Sequence, residues 1–158
     1  MVELALKAAP EHEVTGDHVP TATHHSPSHG EAPDHFVIRD GVVFAGTHLT
    51  IDLWGAKHLD EMPFMEEVLK RAISEAQATL LHIHLHHFTP NGGISGVAVL
   101  AESHISVHTW PERDFAAFDV FMCGSAEPAK VIHILDRAFS PQQIEVNKQL
   151  RGVVRDRI

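Results

Sequence analysis

The chain of 158 residues has a single cysteine, Cys123. One cysteine excludes an intrachain disulfide and suits a reducing compartment, so a cytoplasmic location is expected. A surplus of basic residues is also missing: 12 Lys and Arg stand against 21 Asp and Glu, for a formal net charge of −9. Nothing forms the basic stripe that a phosphate backbone requires, so no nucleic-acid partner is expected. A negative field is compatible with a cationic substrate, whose local concentration it raises. No apolar run approaches the roughly 18 residues of a membrane span. The opening MVELALKAAPEH has no basic region ahead of a sustained apolar stretch, so neither a membrane segment nor a signal peptide is expected. What remains is ordinary for a soluble globular protein, 44% hydrophobic and 21% charged, and suits one domain with its own core.

Residues 1–40 differ from the rest. They hold Pro10, Pro20, Pro27 and Pro33 and six histidines, with few large apolar residues between Pro10 and His35. Such a segment buries too little apolar surface to offset its ordering entropy. A disordered His- and Pro-rich extension over 1–40 and a folded domain over 41–158 are therefore expected. His24, His25 and His29 could bind a metal adventitiously, but a solvated tail is the simpler reading.

In the folded part, Leu49, Ile51 and Leu53 alternate with Thr50 and Asp52, which predicts a strand within Val42 to Trp54. Asp60 is the expected N-cap, and Pro63 lies in the first turn, of a helix over 61–77. Phe64, Met65, Val68, Leu69, Ala72, Ile73 and Ala76 recur there at helical spacing. Strands are predicted over 79–88, 94–100, 103–109, 115–122 and 143–147, with Pro90-Asn91-Gly92-Gly93 as a turn. Ser125 is the expected cap of a second helix over 127–139, with Val131, Ile132, Leu135 and Phe139 on one face and Pro141 just beyond its end. Runs of strands with two helices predict an α+β fold, a two-layer sandwich of an antiparallel sheet with two helices packed on one face.

The most informative stretch runs from Ala101 through Glu102, Ser103 and His104 to His108, continues into Thr109-Trp110-Pro111-Glu112, and has Cys123 fifteen residues beyond His108. A serine hydroxyl attacks the carbonyl of the preceding residue when the turn is strained and a proton acceptor is near. The peptide becomes an ester, elimination releases the upstream chain and leaves dehydroalanine, and hydrolysis gives a pyruvoyl group. Such a ketone takes up a substrate amine as a Schiff base and acts as an electron sink, as pyridoxal phosphate does. By itself Glu102-Ser103-His104 would read as a serine in a β-turn, so the case rests on its neighbours.

The string AESHISVHTWPERDFAAFDVFMCG, residues 101–124, closely resembles the self-processing site of the bacterial and archaeal S-adenosylmethionine decarboxylases. HHFTPNGGISG, residues 86–96, does the same, and THLTIDLWGA, residues 47–56, resembles the family's first strand. The likeness covers roughly residues 41–150. It implies cleavage between Glu102 and Ser103, giving a β chain of 1–102 and an α chain of 103–158 that begins with a covalent pyruvoyl group. It implies that His108 and Ser95 assist processing and that Cys123 protonates the substrate carbon once carbon dioxide has left. The chemistry suits the residue types, since imidazole exchanges protons near neutral pH and a thiol is a small acid suited to a partly apolar pocket. Phe88 and Trp110 match aromatic pocket positions, whose faces suit an adenine ring and a sulfonium cation. Glu112 matches an acidic position for a ribose or amino group, and Ile105 is expected to line the same pocket. The implied substrate is S-adenosylmethionine, converted to the aminopropyl donor of spermidine and polyamine synthesis. The implied assembly is a homodimer of processed protomers with sites shared across the interface. The chain departs from the family pattern in a longer turn at Asn91-Gly92-Gly93, and in Arg113-Asp114-Phe115 where tyrosine-glycine-tyrosine is frequent.

Without the resemblance, His108 reads as a strand histidine, Ser95 as a turn serine, Cys123 as a small buried hydrophobe, and Phe88 and Trp110 as core. Within the same chemistry, ornithine or arginine is the alternative substrate, and the presence of Phe88 and Trp110 favours the nucleoside. A different class is a non-catalytic histidine-rich metal-binding protein. His82, His84 and His86 alternate and so share one strand face, but neighbours on a face stand about 7 Å apart, a poor match to a tetrahedral shell, and no metal is expected.

Overall fold

The computed structural model describes residues 36–101 and 103–155. The expectations for residues 1–35 and for Glu102 lie outside the described residues. The chain runs through β1 (Val37–Arg39), β2 (Val42–Phe44), β3 (Gly46–Trp54), α1 (Met62–Glu75), β4 (Leu80–His87), β5 (Ile94–Leu100), β6 (Ser103–Trp110), a 3₁₀ turn (Pro111–Arg113), β7 (Phe115–Cys123), α2 (Ala129–Phe139) and β8 (Gln143–Arg151). Six strands form one sheet in the order β4-β5-β6-β7-β3-β8, and β1 and β2 form a separate pair. Every neighbouring pair in the large sheet is antiparallel. The architecture is the expected α+β sandwich.

Period-2 alternation gives the sheet two unlike faces. One carries Leu49, Ile51 and Leu53 of β3, Ile105 and Val107 of β6, and Phe118, Val120 and Met122 of β7. Met65, Leu69, Ala72 and Ile73 of α1 and Val131, Leu135 and Phe139 of α2 complete a single cluster with them. Phe139 is wholly buried and meets Phe64 of α1 edge-on at 5.8 Å and Phe118 of β7 at 5.9 Å, so one ring joins both helices to the sheet. Truncating such a ring costs about 3–5 kcal/mol. The opposite face carries the other half of each strand, including His104, His108 and Trp110 of β6, all exposed.

The structure departs from the sequence expectations at several boundaries. β1 lies inside the segment assigned to the extension. It pairs with β2 across Asp40-Gly41, both at positive φ (52° and 77°), the geometry for which Asp-Gly is favoured in a two-residue hairpin. The single strand expected over 42–54 is thus two strands, interrupted at Ala45. Asp60 does not cap α1. The N-cap is Glu61, whose carboxylate engages His58 Nδ1 at 2.7 Å, and no side chain caps the backbone there. Ser125 does not cap α2 either, because the N-cap is Pro128. The first turn closes instead through Lys130 and Val131 N–H groups donating to the Glu127 and Pro128 carbonyls. β8 runs to Arg151, past the expected end at 147, because it pairs with β3 along its whole length.

Candidate active site

Leu100 of β5 pairs with Ser103 of β6, so Ala101 and Glu102 alone connect these two strands. Two-residue connections favour Gly, Asn and Asp, and Ala-Glu is neither. Ala101 is tied down by its N–H, which donates to the Thr79 carbonyl at 3.0 Å. Ser103 is partly buried, and its hydroxyl oxygen accepts a hydrogen bond from the Cys123 backbone N–H at 3.2 Å. Beside them lies a cavity of about 180 Å³ lined by Gln77, Ala78, Thr79, Ala101, Ser103, Cys123, Gly124, Ser125 and Ala126. The structure therefore brings Ser103 and Cys123 together, although twenty residues separate them in sequence.

A second cluster forms at the other end of β6. Ser95 and His108 stand opposite one another in the β5–β6 register, and Ser95 Oγ and His108 Nδ1 are 2.7 Å apart. They border a cavity of about 380 Å³ that Phe88, Trp110 and Glu112 also line, together with Thr89, Pro90, Asn91, Gly93 and Thr109. Five of the residues singled out from sequence thus share this one cavity. Ile105 does not. It is wholly buried in the core, because odd positions of β6 face the helices while His104, Ser106, His108 and Trp110 alternate to the other side.

The same alternation separates Ser103 from His108. Five residues along one strand span roughly 17 Å, and Ser103 and His108, being odd and even, belong to opposite faces of it. Within one chain, His108 does not adjoin Ser103.

Behind Trp110 lies an aromatic stack that the sequence does not single out. Phe115 of β7 stands opposite Trp110 of β6 and Trp54 of β3. It stacks on both, with ring centres 5.3 Å and 4.2 Å apart. The signal was available, since all three occupy the exposed phase of their strands. Between Trp110 and Phe115, Asp114 adopts the left-handed conformation (φ 49°) and takes the place of the glycine expected from the family pattern. Aspartate tolerates this region better than most side chains, so the left-handed turn is accommodated without glycine.

His82, His84 and His86 share one face of the edge strand β4. Among the described residues, no three His, Cys, Asp or Glu side chains are gathered as a metal shell requires. No helix among them is long and apolar enough to cross a membrane.

The hydrogen-bonded Ser95–His108 pair thus borders a cavity with aromatic walls, and Ser103 and Cys123 meet at the far end of β6. Comparison with known proteins gives the class. The family model described as S-adenosylmethionine decarboxylase matches residues 47–152. The chain belongs to the S-adenosylmethionine decarboxylase family. It is 40% identical over 112 residues to the S-adenosylmethionine decarboxylase proenzyme of Thermomicrobium roseum, a match that covers 70% of this chain and 97% of that one. It is 44% identical over 112 residues to the proenzyme of the same name from Methanococcus vannielii, covering 69% and 91%. The crystal structure of the adenosylmethionine decarboxylase from Aquifex aeolicus superposes with a TM-score of 0.63 at 32% identity, covering 73% of this chain and 97% of that one.

Proposed function

We propose that this chain is a self-processing, pyruvoyl-dependent decarboxylase that converts S-adenosylmethionine to the aminopropyl donor of polyamine synthesis. The observation that carries the substrate assignment is the cavity of about 380 Å³ that unites Phe88, Trp110, Glu112 and the Ser95–His108 pair. Its aromatic faces suit a purine and a sulfonium. Its carboxylate suits a ribose hydroxyl or an amino group. Ornithine and arginine have no ring to place against those walls. Decarboxylation measured side by side on the three compounds is expected to favour S-adenosylmethionine by at least about a hundredfold in kcat/KM. Equal rates on ornithine or arginine would overturn the substrate assignment.

The local chemistry fits a pyruvoyl group at position 103. The hairpin offers a hydroxyl at the first residue of β6, a backbone N–H of Cys123 directed at that oxygen, and a small cavity beside both. When formed, the group supplies an electron-withdrawing carbonyl for the substrate amine. Around it, Cys123 contributes a thiol that holds the proton for the substrate carbon, and before cleavage its N–H orients the attacking hydroxyl of Ser103. Ser95 and His108 move protons during processing, and Phe88, Trp110 and Glu112 hold the nucleoside. The single cysteine fits a reducing cytoplasm.

This assignment of roles requires a second copy of the chain. With roughly 17 Å and a change of sheet face between Ser103 and His108 of one chain, the reading pairs Ser103 and Cys123 of one protomer with Ser95 and His108 of the partner subunit. The aromatic, histidine-rich sheet face is the surface that would join them. Refolding His108→Ala chains together with Ser103→Ala chains tests this. Cleavage of the His108→Ala chain is expected in the mixture and not in either chain refolded alone. A mixture that stays whole while wild-type chains cleave would return processing to a single protomer.

A further inference from the structure

Thr109 sits between His108 and Trp110 but on the opposite side of β6. It is only 6% exposed, a hydroxyl among the buried residues of the helix-covered face. Its hydrogen-bonding capacity is used in both directions. The hydroxyl donates to the Leu59 carbonyl at 2.8 Å and accepts the Ile94 N–H at 2.7 Å. Leu59 lies fifty residues upstream, in the loop ahead of α1, and Ile94 is the first residue of β5. The β5–β6 pairing reaches Ser95 and His108 and stops there. The Thr109 hydroxyl therefore takes over as acceptor for the next N–H where the backbone ladder ends. The turn after Phe88 closes on the same residue: a Cβ on Gly93 would stand 2.8 Å from the Thr109 carbonyl oxygen, so only glycine fits there. Ser95 directly follows Ile94 and His108 directly precedes Thr109, so both members of the pair adjoin the clamp.

We infer that Thr109 is a positioning residue, whose hydroxyl clamps β5, β6 and the Leu59 loop at one point and so fixes the Ser95–His108 hydrogen bond. Its kinetic consequence rests on the processing role proposed for that pair, while its geometric consequence does not. Thr109→Val keeps the shape and removes the hydroxyl, leaving a buried N–H and a buried carbonyl without their partner. Thr109→Ser keeps the hydroxyl.

Two readouts separate the possibilities. In the Ser103→Ala background the chain stays whole, and ¹⁵N resonances of the His108 ring report whether Nδ1 remains hydrogen-bonded. Thr109→Ser is expected to preserve the wild-type His108 signal and Thr109→Val to lose it; Thr109→Ala replaces the valine variant if that chain does not fold. In the cleavable chain, Thr109→Val is expected to slow self-cleavage about tenfold to a hundredfold, with Thr109→Ser restoring it. Val131→Ala, in the core beneath α2, controls for general destabilisation and is expected to cleave at the wild-type rate well below its melting temperature. An unchanged His108 signal in Thr109→Val, or equal slowing by Val131→Ala, would overturn the inference. A lost His108 signal with undiminished cleavage would uphold the positioning and remove the pair from processing.

Discussion

Ser103→Ala is expected to remain a single chain of 158 residues with no measurable decarboxylation. The substitution removes the hydroxyl that would attack the Glu102 carbonyl and then leave Cβ as part of the new carboxylate, so no dehydroalanine, and hence no ketone, could form. No other residue at the hairpin offers a replacement, since Ala101 has no nucleophile. The fold should survive. Ser103 accepts one hydrogen bond from the Cys123 N–H, beside a cavity that water can enter, so its loss costs about 1 kcal/mol. Wild-type protein on a denaturing gel should show two fragments where the variant shows one band. Circular dichroism should report the same secondary structure for both. A Ser103→Ala chain with wild-type turnover would remove the pyruvoyl chemistry altogether.

Cys123→Ala should fail at a different step. The contact between positions 103 and 123 runs through the Cys123 backbone N–H, which alanine retains. Processing should therefore continue and yield two fragments. Turnover should fall by about 10²–10⁴-fold, the usual contribution of a positioned acid, because the proposed role gives the proton to the thiol and not to the backbone. His108→Ala should show the opposite pattern and accumulate as whole chain, with hydroxylamine releasing fragments from any ester that forms. Single-turnover assays on the Cys123→Ala protein, corrected for the cleaved fraction, measure the effect directly. Wild-type turnover in that corrected assay would show that another group donates the proton.

The two sheet faces were legible in the sequence because Leu49, Ile51 and Leu53 alternate without interruption, and α1 was legible because seven apolar residues keep its period. Helix starts were not. Asp60 and Ser125 are good caps in isolation, but the N-caps are Glu61 and Pro128, one and three residues further on, with no side chain capping either helix. The missed β1–β2 pair had its signal in Asp40-Gly41, obscured because Val37 and Ile38 follow a long polar segment. The motif sets Ser103 and His108 five positions apart on one strand. Contiguity on a strand means separation in space, and counting from Ser103 to His108 would have shown both the distance and the change of face. Ile105 was misplaced for the same reason, since its odd position commits it to the core.

The strand order β4-β5-β6-β7-β3-β8 gives a cut after Glu102 an unusual outcome. β3 would belong to one product and both of its neighbours, β7 and β8, to the other. The products would be interleaved, each completing the other's sheet, so the break would not release them. The uncut chain finds its fold in a unimolecular search. Once cut, unfolded pieces must first meet, and recovery becomes a second-order event whose yield depends on concentration. Maturation would thus work as a ratchet: the chain assembles easily once, as a whole, and afterwards keeps its shape as a complex that dilution after denaturation would not restore.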